Sequence, residues 1–159
     1  MFRLIPPSLH RLILPPAFAL RHYWRKLRKI ELFGVVAILR DQQDRVLFVR
    51  HNYGPQVWSI PGGGMKPQEA PEEAIAREVL EEVGCSILGL RLIDTIRSEL
   101  SGSPHTMYLF TGTINELPRA DKRELSDARL FPASSMPTPI GKQAQMCLDR
   151  WRESMRRAP

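Results

Sequence analysis

Residues 63–85 read GGMKPQEAPEEAIAREVLEEVGC. Pro71 suits a first helical turn, since its φ is already helical and its missing N–H would be unpaired there. Glu72 and Glu73 place negative charge at the positive end of a helix macrodipole. Nothing from Glu72 to Val83 breaks a helix, and Gly84 stands where a left-handed C-terminal cap belongs. The pattern predicts a helix over about residues 71–83. At 100° per residue, Ile75, Ala76, Val79, Leu80 and Val83 share one arc, read as the core face. Glu78, Glu81 and Glu82 share another, because spacings of three and four stack side chains. Arg77 lies beside that arc, within reach of Glu73 and Glu81. Three crowded carboxylates repel one another and call for compensation. Hard divalent cations take oxygen ligands, and Mg²⁺ uses one or two carboxylates with substrate phosphates and water. A solvated acidic face with Arg77 as a surface ion pair is the plainer reading of such a cluster.

Reduced to its fixed points, the stretch is Gly63, five residues, Glu69, seven residues, then Arg77-Glu78-Val79-Leu80-Glu81-Glu82, one residue, Gly84 and Cys85. This spacing resembles the signature of the Nudix hydrolase family, the MutT-like pyrophosphohydrolases. Seven glycine or polar positions with fixed gaps are far more specific than a lone glycine-rich loop. Cys85 departs from the Ile, Leu or Val that usually ends the box. A buried thiol behaves as a small hydrophobe, so packing is expected to survive. The resemblance covers about residues 32–157 and weighs for metal over a solvated face. It implies that Glu78 and Glu82 are the main metal ligands, with Glu81 a ligand or the base near the attacking water. It implies that Glu69 and Arg77 orient them, and that a main-chain carbonyl of the glycine loop, taken as Gly63, joins the metal shell. Mg²⁺ is the implied ion, with Mn²⁺ as a substitute. Glu124, in KRELSDARLFP (residues 122–132), resembles the family's late loop glutamate, which reaches the metal cluster or serves as base in several relatives. A solvent-facing loop acid is the alternative there.

Upstream of the box, three glycines after Pro61 let the backbone approach a ligand closely. Phe33–Leu39 and Arg45–Val49 read as adjacent strands joined by a turn at Asp41-Gln42-Gln43-Asp44. Val57–Ile60 reads as a third short strand leading into the glycines. Ile87–Ile96 and Thr106–Ile114 read as strands around the turn-rich Ser101–Pro104, and Asp127–Phe131 as a last short strand. Pro132–Met136 is expected to cap a final helix over about 139–156, with Met146, Leu148, Trp151 and Met155 supplying apolar contacts. The order predicts an α/β fold, a three-layered α/β/α sandwich with a mixed sheet between helices, which is the Nudix-type fold as well.

A chain of 159 residues is long enough for one domain with a proper core. Its formal net charge is +6. Residues 1–31 hold seven basic residues against Glu31 alone, so the high pI belongs to this extension and residues 32–159, the expected catalytic domain, are neutral. Pro6, Pro7, His10, Arg11, Pro15 and Pro16 interrupt any secretory signal, and no apolar run is long enough to span a bilayer. Leu20, Tyr23, Trp24 and Leu27 fall at helical spacing among basic residues. Such an amphipathic helix either packs its stripe on the domain or binds RNA or an anionic membrane. Cys85 and Cys147 lack metal or redox spacing and point to a reducing, cytoplasmic compartment. The four histidines are scattered and none is assigned to metal.

The resulting expectation is Mg²⁺-dependent hydrolysis of a pyrophosphate bond in a nucleoside diphosphate linked to another moiety, by water attack on phosphorus, with Glu81 or Glu124 as base. The alternatives are an RNA 5′-end pyrophosphohydrolase using the basic arm, and a Nudix-fold isomerase or non-catalytic nucleotide sensor. Tyr53, Trp58 and Tyr108 are candidate base-stacking aromatics, Trp58 reading more as core. The family's ADP-ribose group carries a proline after the box where this chain offers none until Pro104, so the substrate within the class stays open.

Overall fold

The computed structural model describes residues 31–100 and 102–157. The expected helix after Pro16 therefore lies outside the described residues. Among them are six strands and two helices: β1 (Leu32–Arg40), β2 (Arg45–His51), β3 (Gly62–Gly64), α1 (Pro71–Val83), β4 (Leu88–Leu100), β5 (Ser103–Thr113), β6 (Leu125–Pro132) and α2 (Lys142–Arg157). The sheet order is β4-β5-β1-β2-β6, with β3 on β1. β1 runs parallel to β5 and every other pairing is antiparallel, so the sheet is mixed.

The unbroken apolar run of β1 follows from burial on both faces. Val35, Ala37 and Leu39 join Leu47 and Val49 under α1, where Ala74, Ile75, Val79 and Val83 meet them. Val36 and Ile38 join Val46 and Phe48 on the opposite face, under Ala144, Cys147, Leu148 and Trp151 of α2. The period of two in the strands thus feeds two cores, and the expected α/β/α layering is present. In the turn between β1 and β2, Asp41 Oδ1 accepts hydrogen bonds from the backbone N–H groups of Gln43 and Arg45.

Several expectations are corrected. Val57–Ile60 is not a strand; it holds only the isolated bridges Trp58 to Ile140 and Ser59 to Val49. The third strand is the glycine triplet itself, paired Gly34 to Gly64, Val35 to Gly63 and Val36 to Gly62. Glycine is required for that approach: a Cβ on Gly62 (φ 150°) would lie 2.1 Å from the Val35 carbonyl oxygen. The β4–β5 hairpin is longer than expected, since pairing continues through Glu99–Pro104 and Leu100–Ser103. β6 begins at Leu125, two residues early. In α2, Ala144, Cys147, Leu148 and Trp151 form the buried stripe at i, i+3, i+4 and i+7, while Met146 and Met155 are exposed. The final helix starts at Lys142, after Gly141, not at 139. In α1, Ala76 and Leu80 face solvent and Ala74 is buried in their place. The buried arc is therefore turned toward Glu78 and Glu82, which positions the acidic residues discussed next.

Candidate active site

Helix α1 starts with Pro71 at its first turn and ends at Gly84 (φ 70°), whose N–H bonds the Leu80 carbonyl. Its inward rotation brings two glutamates off the solvent face. Glu82 is buried, at 6% exposure, and its Oε2 accepts a 3.1 Å hydrogen bond from the Gly62 N–H. Glu78 is half-buried against β3, so close that a Cβ on Gly63 would sit 2.5 Å from its carboxyl carbon. Glu81 stays 62% exposed and meets Arg77 at 3.5 Å.

Arg77 organises the group. Its Nε and Nη2 clasp both oxygens of Glu69 at 2.6 and 2.8 Å, a bidentate pair across eight residues. Its Nη1 donates to Glu78 Oε1 at 2.7 Å and its Nη2 to the Gly64 carbonyl at 3.2 Å. The expected reach back to Glu73 is not used; Glu69 takes the guanidinium fork instead. The Lys66 N–H adds a 2.7 Å bond to Glu69 Oε2, closing the loop before α1. Hydrogen bonds from Arg77 and Lys66 pull the Glu69 carboxyl down to about 2.

Burial, and then the charges of Glu78, Glu124 and Asp121, push Glu82 up to about 8. Burial raises Glu78 also, against the opposing pull of Arg77, with Glu81 and Glu124 adding to the rise. Glu124 thus lies within electrostatic range of both box glutamates, although it is exposed and sits 42 residues beyond Glu82. Its loop is fastened to α1 and β2. Arg119 and Asp121 donate their N–H groups to the carbonyls of Val83 and Glu82. Asp121 Oδ1 accepts from the N–H groups of Arg123, Glu124 and Leu125. Asn52, just after β2, donates its N–H to the Glu124 carbonyl and its side-chain amide to the carbonyls of Lys122 and Arg123.

Sequence reading missed Asp121 and Asn52. Aspartate heading a turn and bonding its own backbone ahead is a recognisable local pattern. Nothing local marks Asn52, whose partners are 70 and 71 residues away.

On the other side of the glycine strand lies a cavity of about 1020 Å³. Gly62, Gly63, Gly64 and Glu69 line it, with Phe33, Val36, Ile60, Met107 and Tyr108 as apolar wall. Glu78, Glu81, Glu82 and Glu124 do not line it. His51 does, and its buried Nδ1 has no hydrogen-bond partner among the described residues. Burial lowers His51, with Asp121 pulling the other way, so the imidazole marks where cavity and acidic cluster meet. Of the three candidate aromatics, Tyr108 alone faces this cavity. Trp58 is core, edge-on to Phe131 with Arg50 over its ring, and Tyr53 packs on His51. Cys85 and Cys147 are buried and unpaired, and burial pushes the thiols up to about 11 and 12.

The donor set suits a hard divalent cation. Carboxylates that are desolvated and mutually repelling, with Arg77 as the cation bound to Glu78, gain from a second positive charge. Among the described residues, no three acidic, histidine or cysteine side chains are already gathered at metal-holding spacing.

The family model of the NUDIX domain matches residues 32–150. A mouse diphosphoinositol polyphosphate phosphohydrolase 3-alpha is 38% identical over 77 residues, covering 48% of this chain and 46% of that protein. The human diphosphoinositol polyphosphate phosphohydrolase 2 is 36% identical over 77 residues, covering 48% and 42%. The match thus spans less than half the length of these relatives. In fold, the chain is similar to a MutT NUDIX hydrolase from Burkholderia pseudomallei (TM-score 0.68, 20% identity, 76% of this chain and 98% of that one). It is equally similar to the NUDIX domain of Shewanella oneidensis NrtR in complex with ADP ribose (TM-score 0.68, 22% identity, 87% and 97%). The chain belongs to the Nudix hydrolase family.

Proposed function

We propose that the protein is a divalent-metal-dependent pyrophosphohydrolase that cleaves a nucleoside diphosphate linked to a further group. The observation that carries this reading is Glu82. A carboxylate this buried, with one backbone hydrogen bond and three acidic neighbours, is poorly placed for stability and well placed to hold a cation. Glu78, Glu82 and Glu81 would hold Mg²⁺, or Mn²⁺ in its place, with a main-chain oxygen of the Gly62–Gly64 strand. When bound, the ion neutralises charge on the pyrophosphate and on the leaving phosphate.

The chain's own residues do the rest. Arg77 fixes Glu69 and Glu78 in one orientation and ties both to the Gly64 carbonyl, so ligand geometry is set before substrate arrives. Glu124 or Glu81 takes the proton of the attacking water on a carboxylate oxygen. The fastening of the Glu124 loop to α1 and β2 supports Glu124 for this role. The glycine strand lets the diphosphate lie against bare backbone between the cavity and the carboxylates.

For the substrate, the cavity wall supports a base or similar planar apolar group beside Tyr108 and Phe33. Among the described cavity-lining residues Lys66 is the sole Lys or Arg, beside Glu31 and Glu69. A heavily phosphorylated inositol, the kind of compound named for the mammalian relatives, calls for clustered cations. A nucleoside diphosphate derivative fits this lining better. Two buried, unpaired thiols accord with a reducing cytoplasmic setting. No described helix is long and apolar enough to cross a membrane.

The test is a panel of nucleoside diphosphate derivatives, dinucleotides, ADP-ribose and a diphosphoinositol polyphosphate incubated with Mg²⁺, with products separated by chromatography. Cleavage of nucleotides to two phosphate-ended products is expected. Selective cleavage of the inositol compound would overturn the substrate reading, and full activity in chelator would overturn the metal.

A further inference from the structure

Among the described residues, three arginines lie over tryptophan rings, and one of them lacks a counter-charge. Arg40 sits over Trp151 at 5.5 Å and gives its Nη1 to Asp44 at 2.6 Å. Arg129 of β6 sits over Trp58 at 5.9 Å and gives its Nη2 to Asp127 at 2.7 Å. Arg50 of β2 lies nearest to a ring, its guanidinium carbon 4.2 Å from the centre of Trp58. No carboxylate or carbonyl among the described residues accepts from it, and its Nε is buried without a partner.

Strand β6 holds an acid in the right place that serves another residue. Asp127 stands directly opposite Arg50 across the β2–β6 ladder, where opposite charges pair favourably. Its carboxylate turns instead along its own strand to Arg129. Two guanidiniums therefore share the Trp58 ring with one acid, and one positive charge is left over. Arg50 is half-buried, so water compensates its charge less well than at an exposed arginine. Stacking satisfies the face of a guanidinium and leaves its N–H edge unfilled. With Nε closed off, the open donors are Nη1 and Nη2, a planar pair that matches two oxygens of one oxyanion.

We propose that Arg50, backed by Arg129 on the Trp58 shelf, binds one phosphoryl group. A phosphate held by the Arg50 fork has a further oxygen to turn toward Arg129, which a carboxylate lacks. The site is separate from the acidic cluster. Phe48, Trp58 and Phe131 place it on the α2 side of the sheet, whereas Glu78 and Glu82 project from α1 on the other side. It is still beside the cavity, because His51 and Ser59, the next residues along the two segments, line that cavity. The phosphoryl group is either a free phosphate ion or one borne by the part of a ligand that projects from the cavity past Ser59. In neither case does the site depend on the hydrolase reading.

The test is a titration of inorganic phosphate into the metal-free full chain, followed in amide NMR spectra, which needs no hydrolase activity. Without metal the acidic cluster repels phosphate, so the signal comes from elsewhere. Saturable shifts are expected at the amides of residues 50, 58 and 127–129 and at the Trp58 indole N–H, and chloride at equal ionic strength should produce none. Arg50→Met should weaken the binding about tenfold, and Arg50→Lys should not restore it, since an ammonium lacks the planar fork. Arg129→Gln, at an exposed position, should weaken it about threefold and keeps the test valid if the Arg50 variants fold poorly. A second arm compares ADP with its 3′-phosphorylated form on the same protein. Tighter binding of the phosphorylated form, lost in Arg50→Met, assigns the group to the larger ligand. Equal binding of the two, with phosphate alone still bound, assigns it to the free ion. Shifts that are absent, that chloride reproduces, or that persist unchanged in Arg50→Met and Arg129→Gln overturn the site.

Discussion

Glu82 and Glu69 carry opposite consequences for stability as pH changes. The native Glu82 carboxyl titrates near 8, against 4.5 for an ordinary glutamate. Between those values the folded protein holds a proton that the unfolded chain has released, so stability falls as pH rises through this window. Thermal melts of chelated protein should therefore show a melting temperature that declines from about pH 4.5 to about pH 8, and excess Mg²⁺ should abolish the decline. Glu82→Gln should flatten the profile, stabilise the metal-free fold at pH 8, and lower turnover by at least ~100-fold. A folded Glu82→Gln protein with near-normal turnover would contradict the metal reading. Glu69 behaves in the reverse sense. Its native value near 2 means that its contribution is present above about 4.5 and is lost as pH falls toward 2. Arg77→Lys keeps the charge but lacks the planar fork that clasps Glu69 while reaching Glu78. It should weaken Mg²⁺ affinity and turnover by roughly 10–100-fold, and should move the acid unfolding transition to higher pH. Titration calorimetry and acid melts measure the two effects separately.

At the scale of elements, the glycine strand β3 separates packing from chemistry. A Cβ on Gly62 meets backbone, the Val35 carbonyl oxygen at 2.1 Å, and backbone on a central strand cannot yield. A Cβ on Gly63 meets the free end of the Glu78 side chain, which can swing away. Gly62→Ala should therefore lower the melting temperature sharply, while Gly63→Ala should leave it nearly unchanged and reduce turnover by displacing Glu78. Equal thermal losses in the two variants would show that Gly63 is structural only. Helix α1 offers a companion case. Its limits and its C-terminal cap were readable from Pro71 and Gly84, because both act through local backbone geometry. Its facing was not, since Ala76 and Leu80 are as apolar as the buried Ala74 and Val79. Leu80, at 59% exposure, should accept Lys with a stability change within about 0.5 kcal/mol.

At the scale of the whole molecule, the site is assembled from segments distant in sequence. Asn52 joins the end of β2 to the loop before β6, and the same loop hangs on the last turn of α1. Asn52→Ala should free that loop, lowering turnover several-fold with little change in substrate KM, provided that Glu124 acts as base; an unchanged turnover in both Asn52→Ala and Glu124→Gln would assign the proton to Glu81. The identities and spacing of Gly63, Glu69, Arg77, Glu78, Glu81 and Glu82 were legible in the chain because box, helix and cap are local, and local geometry is encoded within a few residues. That Phe33–Leu39 forms a strand was legible for the same reason, whereas its burial on both faces emerged only in the fold. Which arc of α1 turns inward, how Glu82 comes to be desolvated, and how Glu124 reaches the cluster were decided only when α1 settled on the sheet. Those outcomes depend on which apolar surface finds its complement across the fold, and on hydrogen bonds closing over seventy residues, and no local pattern records either.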